Sequence, residues 1–202
     1  MRFIGITGGV GAGKSKILTF LENEYGAYVV RADELAATLM TPGHTCYDKL
    51  CEAFREELDH ILDERGIFRK DEMVARIFAD NDKRARLNSI VHPEVKKAIL
   101  ADVEEKRRSG ETDLYILEAA LLIEEHYDEV CDELWYVYTD EKTRRERLKR
   151  TRGYSDERID SILKAQLSED EYRAHCRCVI DNNSDLEHVY EQIRQILSGD
   201  KR

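Results

Sequence analysis

Eight residues near the start of the chain, Gly8-Gly9-Val10-Gly11-Ala12-Gly13-Lys14-Ser15, fit the spacing G-x-x-x-x-G-K-[ST] of a loop that wraps nucleotide phosphates. The chemistry accounts for the residue types. Glycines let successive backbone N–H groups close around an anion, the lysine reaches the β- and γ-phosphates, and the serine hydroxyl suits Mg²⁺. Two acids are placed to complete a phosphoryl transfer. Asp33 lies just past the second apolar run, where a carboxylate can take the proton of an attacking hydroxyl, although the same position also suits an N-cap for the helical "ELAATLM". Glu118 closes "LYILE", where an acid can hold Mg²⁺ directly or through water; the alternative is a buried, hydrogen-bonded carboxylate. A basic run, "EKTRRERLKRTRG", carries Lys142, Arg144, Arg145, Arg147, Lys149, Arg150 and Arg152. It reads as an arginine lid over phosphates or, more plainly, as a solvated helix face.

These groups need elements to hold them. Phe3, Ile4 and Ile6 form a short apolar run suited to a buried strand, and Ile17, Leu18, Phe20 and Leu21 recur at helical spacing, so the loop joins a strand to a helix N-terminus. Further strand-like runs are "AYVVRADE", "DLYILEA", "ELWYVYT" and "CRCVIDN". They alternate with helical patterns, the signature of parallel β units with crossover helices, and the expectation is an α/β fold with a five-stranded parallel sheet. Leu186, Val189, Ile193, Ile196 and Leu197 share one face of a final helix. Between about 41 and 110 the strand pattern gives way to amphipathic helical segments, broken at Gly43, at "DERG" and at His92-Pro93. This predicts one domain over 1–202, with a core of about 1–40 and 111–202, a helical insertion of about 41–110 and a lid of about 141–156. The insertion lies where it can cover the mouth of the sheet, at which open α/β folds bind ligands.

Composition excludes several classes. A chain of 202 residues suffices for one well-buried domain with an insertion. The net charge of −10 argues against a general nucleic-acid binder, which needs basic surface to displace counterions. There is no apolar run long enough to span a bilayer, and the N-terminus enters a strand instead of a signal-peptide segment, so a cytoplasmic location and no membrane partner are expected. Cys46, Cys51, Cys131, Cys176 and Cys178 are an odd set without a C-x-x-C pair, which suits reduced thiols and not a disulfide framework. His175-Cys176-x-Cys178 is too thin a pattern for a zinc site. Monomer and weak homo-oligomer both remain open.

Taken together, the motifs resemble the dephospho-coenzyme A kinase family nearly end to end. The resemblance rests on "GITGGVGAGKS", "ADELA", "GIFR" followed by "VARIF", "LNSIVHPEV", "ALLIE", the "RL" of the lid, Gln166 within "KAQLS", and "VIDNN". It implies a P-loop kinase fold with a helical substrate-binding region and a lid. The implied activity is transfer of the γ-phosphoryl group of ATP, with Mg²⁺, to the ribose 3′-hydroxyl of dephospho-coenzyme A. Carried over residue by residue, Asp33 is the base. Gly8, Gly11, Ala12, Gly13, Lys14, Ser15 and Lys16 bind the nucleotide, Ser15 and Glu118 arrange the metal, Arg147 and Arg150 neutralise the transferred group, and Asn182 approaches the adenine. His92 falls in the region that receives the coenzyme A moiety. The chain departs from the family where D-A-D is Arg31-Ala32-Asp33, where the threonine after the loop serine is Lys16, where P-L-L-F-E is Ala120-Leu121-Leu122-Ile123-Glu124, and where an arginine at 151 is Thr151.

Two other readings compete. Another P-loop small-molecule or nucleoside monophosphate kinase would share the loop, but not the "HPEV" and "GIFR" segments. A regulatory GTPase would explain Asp63-x-x-Gly66 as a switch motif, yet no strand leads into it and no guanine-reading N-K-x-D sequence occurs.

Overall fold

The apolar runs become strands β1 (Arg2–Thr7), β2 (Tyr28–Arg31), β3 (Leu114–Glu118), β4 (Glu133–Tyr138) and β5 (Cys178–Asp181) in a computed structural model that describes residues 1–199. They form the expected five-stranded parallel sheet, in the order β2-β3-β1-β4-β5. Because helices cover such a sheet on both faces, its central strands read as unbroken apolar runs: Phe3, Ile4 and Ile6 of β1 and Tyr115, Ile116 and Leu117 of β3 are fully buried.

The helices are α1 (Lys14–Tyr25), α2 (Ala32–Leu39), α3 (Thr45–Ala53), α4 (Leu58–Ile61), α5 (Lys70–Met73), α6 (Asn81–Ser109), α7 (Glu141–Arg152), α8 (Asp156–Lys164), α9 (Glu169–His175) and α10 (Leu186–Gly199). On one face of the sheet Ile4, Ile6, Ile116, Trp135, Val137 and Ile180 pack with Ile17, Leu18 and Leu21 of α1 and Val189 and Ile193 of α10. Each such burial stabilises by about 1.5–3 kcal/mol, so this face sets the stance of α1 and with it the loop at its N-terminus. Elsewhere in the sheet Phe3 meets Tyr115 edge to face at 5.2 Å, and Tyr136 stacks on Tyr172 of α9 at 4.6 Å.

The strand order reverses at β1, whose neighbours are β3 and β4, and ligand sites of open α/β sheets lie beyond the carboxyl ends of the strands at such a switch point. Register brings the strand ends level: Ile6 pairs with Glu118, Thr7 with Tyr136, and Tyr138 with Asp181. The loop after β1, Glu118, Thr139 and Asn182 therefore crowd the same edge.

Two compact units make up the chain, Met1–Val30 with the chain from Gly110 onward, and Arg31–Ser109. The second is helical and takes in α2 as well as the segment expected from about residue 41. Within it, Tyr47 donates from its hydroxyl to the Gly66 carbonyl at 2.7 Å, and Val74–Phe78 forms a π-helical turn. The expected break at His92-Pro93 does not occur, for α6 runs through Pro93 as one 29-residue helix. A proline inside a helix costs about 3 kcal/mol. Here Leu87, Val91, Val95, Ile99 and Val103 form a buried stripe along both halves of α6, which outweighs that cost.

Candidate functional site

Gly13 precedes α1 in the left-handed region, φ 90°, and Lys14 and Ser15 are the first residues of the helix, so their amides lie at its positive end. A side chain at Gly13 would also overlap the Asn182 amide. Inside the loop Ala12 N donates to the Gly9 carbonyl at 3.0 Å. Lys14 Nζ donates to the Gly8 carbonyl at 2.8 Å and lies 3.3 Å from Glu118 Oε1, which curls the lysine back over the loop it closes. Ser15 and Lys16 are exposed.

The remaining sequence-derived residues fall into two groups. Asn182, buried just after β5, donates from Nδ2 to the Ala12 carbonyl at 2.6 Å. Arg147 reaches the same place: Nη1 lies 3.3 Å from the Ala12 carbonyl and 3.4 Å from Thr139 Oγ1, and Nη2 is 2.9 Å from the Asn182 carbonyl. Arg147, expected among the cations that neutralise the transferred phosphate, is engaged with oxygens of the loop and of the β5 end. Arg150 is exposed on α7. Asp33 is exposed in the first turn of α2, in the helical unit, where the N-cap is Arg31 and no side chain caps the helix. The helix-cap alternative for Asp33 therefore has no support in its geometry.

Two further residues meet the loop: Thr139, which composition and spacing do not single out, and Arg144 of the basic run, which Gln166 holds from behind. Thr139 is buried and donates from Oγ1 to the Ala12 carbonyl at 3.1 Å. Arg144 Nε donates to the Val10 carbonyl at 3.1 Å, its Nη2 donates to Gln166 Oε1, and its guanidinium fills the space that a side chain on Gly9 would need. Burial draws the Arg144 pKa down, opposed by nearby Tyr136, Tyr172 and Glu141. A usable signal for Thr139 was its place directly after a strand, the position it shares with Asn182. Gln166 entered only through the family resemblance, because nothing in its neighbourhood marks a lone glutamine.

The switch-motif alternative at Asp63 is answered by local structure. Asp63 Oδ1 accepts from Ile67 N at 2.8 Å and Arg65 N at 2.9 Å, and these backbone donors hold its carboxyl below the usual range. It is a turn residue. Among the described residues no group of three or more His, Cys, Asp or Glu is gathered to hold a metal, and no helix is long and apolar enough to cross a membrane.

A family model described as dephospho-CoA kinase matches residues 2–188. A dephospho-CoA kinase of Carboxydothermus hydrogenoformans is 35% identical over 194 residues, covering 96% of this chain and 92% of the relative. One of Geobacter sulfurreducens is 36% identical over 196 residues, covering 97% of each. Among solved structures, a Thermus thermophilus protein superposes with a TM-score of 0.78 at 26% identity, covering 98% of this chain and 97% of the other. A shikimate kinase of Acinetobacter baumannii, at TM-score 0.56 and 14% identity over 100% of this chain and 95% of its own, shares the fold.

Proposed function

The chain belongs to the dephospho-CoA kinase family, and from that premise we propose an in-line transfer of the γ-phosphoryl group of ATP to the ribose 3′-hydroxyl of dephospho-CoA. The observation that carries the reading is Lys14, held between the Gly8 carbonyl and Glu118 at the N-terminus of α1, where a triphosphate would replace the carbonyl as its partner. The loop amides and Lys14 bind the β- and γ-phosphates, so catalysis is mostly positioning. Asn182 lies beside the adenine. Arg147 keeps the loop and the β5 end together, which leaves Arg150 as the exposed lid cation for the charge that spreads over the transferred group.

Ser15 and Glu118 offer hard oxygen donors on the nucleotide side of the loop, a set that fits Mg²⁺ completing its shell with phosphate oxygens and water. Bound there, the ion supplies charge neutralisation of the phosphates. Asp33 orients the acceptor hydroxyl and takes its proton. The helical unit Arg31–Ser109, with His92, receives the coenzyme A moiety. A cytoplasmic site of action belongs to the same proposal and rests on composition and cysteine usage.

Coupled measurement of ADP release with and without dephospho-CoA tests the reading: turnover should depend on that acceptor, and shikimate or a nucleoside monophosphate should not replace it. Asp33→Asn should bind ATP normally, hold its melting temperature and lose roughly 10²–10⁴ in rate, the usual worth of a general base. Wild-type turnover in the folded Asn variant would remove Asp33 from the mechanism.

A further inference from the structure

In a trans peptide the C=O and the following N–H point in opposite directions, so fixing one aims the other. The phosphate-binding power of the loop depends on its N–H groups facing inward, and a peptide followed by glycine can rotate about its own plane at little steric expense. Among the loop peptides that precede a glycine, Val10–Gly11 and Ala12–Gly13 lead into left-handed residues, with φ 86° at Gly11 and 90° at Gly13. Their carbonyls carry side-chain donors from distant elements, whereas the Gly8 carbonyl takes Lys14 from within the motif. The Ala12 carbonyl takes Asn182, Thr139 and Arg147. The Val10 carbonyl takes Arg144.

Four donors do not contribute equally, because the Ala12 carbonyl has three and the Val10 carbonyl is held by Arg144. Arg144 sits 134 positions away in the chain from Val10, on α7, and its guanidinium is steadied at the other end by Gln166, which follows α8. The contact with Gly9 closes off a third direction. Its partners are neutral oxygens, and half-burial places a cation behind an anion site with, among the described residues, no carboxylate hydrogen-bonded to it.

We infer that Arg144 and Gln166 form a positioning pair, in which Gln166 holds the Arg144 fork against the Val10 carbonyl so that the Gly11 amide faces the bound phosphates. Neither residue touches the reacting atoms. The pair sets nucleotide affinity by keeping the loop in its binding form before ATP arrives, and the inference rests on the nucleotide-binding part of the proposed function.

The test is calorimetric titration with ADP, together with steady-state kinetics, on Gln166→Leu, Arg144→Met and Arg144→Lys. Loss of one hydrogen bond to a charged group corresponds to about a tenfold weaker Kd for ADP in Gln166→Leu, and Arg144→Met should be weaker still. Arg144→Lys keeps the charge but cannot hold two oxygens in one planar fork, so it should recover part of the loss and not all of it. KM for ATP should rise in step with Kd, while KM for dephospho-CoA and the melting temperature stay close to wild type. Wild-type ADP affinity in folded Gln166→Leu and Arg144→Met overturns the inference. So does a fall in melting temperature accompanied by a rise in both KM values, which is what a merely structural role produces. ADP titration needs no acceptor, so it reads the pair even where the assignment of the acceptor fails.

Discussion

Helix α7 carries two rows of cations that do different work. Arg144 and Arg147, flanking the row completed by buried Leu148, turn to the phosphate loop and donate to carbonyl and amide oxygens. Arg145 and Lys149, four residues apart, turn to carboxylates: Arg145 to Glu141 at 2.7 Å and to Asp160, Lys149 to Asp156 at 2.7 Å. The first row meets uncharged acceptors in a half-buried setting, where each bond is hard to replace by water. The second makes solvent-exposed ion pairs, which are worth little each and are screened by salt. Seven basic residues in one short stretch are therefore neither simply a lid nor simply a solvated face. Spacing of three and four residues sorts them.

The sharpest way to break this contrast is to remove one arginine from each row. Arg147→Ala takes a donor from the Ala12 carbonyl and leaves the Asn182 carbonyl only the longer bond from Thr139 Oγ1 at 3.3 Å, and an under-satisfied buried group costs about 1–3 kcal/mol. We expect kcat/KM for ATP to drop about 10²-fold and the melting temperature to fall by several degrees. Arg145→Ala should stay within about threefold of wild type in kcat/KM, with a stability change under about 1 kcal/mol. Equal effects from the two substitutions would erase the distinction between the rows.

A smaller effect is expected from Gly9→Ala, whose new methyl collides with the Arg144 guanidinium. Because the arginine end is flexible, it should shift without unfolding the protein. KM for ATP should then rise several-fold, roughly the effect of weakening one charged hydrogen bond, with kcat less affected. An unchanged KM would mean that Arg144 can leave the loop without consequence.

The smallest effect belongs to the outer row and is best read through pH. Lys149 holds the Asp156 carboxyl below its usual range. A lowered folded pKa stabilises above the unfolded value, about 3.9, and that contribution is lost as pH falls through the folded value. The difference in melting temperature between wild type and Lys149→Met should thus be present at neutral pH, shrink below about pH 4 and also shrink in about 1 M salt. The inner row, whose acceptors do not titrate, should show neither dependence. A pH-dependent Arg147→Ala difference in the same window would contradict the assignment of the rows.

What the sequence determined by itself was local or periodic. The loop could be read because its eight residues are contiguous and bounded by a strand pattern and a helix pattern, and β1 and α1 follow from the spacing of Phe3, Ile4, Ile6, Ile17, Leu18 and Leu21. The parallel sheet follows from alternation of short apolar runs with amphipathic ones, and Asn182 and Glu118 could be placed because each sits at the carboxyl end of such a run. Two things were decided only in three dimensions. Whether Pro93 ends a helix depends on how much apolar surface the two halves of α6 bury, a quantity that no dipeptide contains. And which arginines of α7 serve the loop depends on which face of the helix the packing of Leu148 turns inward, since the helical period defines the rows but leaves their orientation free. Arg144 and Thr139 lie far along the chain from Val10 and Ala12, and only the stacking of β4, β5 and α7 at one edge of the sheet brings their donors within hydrogen-bonding reach of those carbonyls, and Gln166 within reach of Arg144.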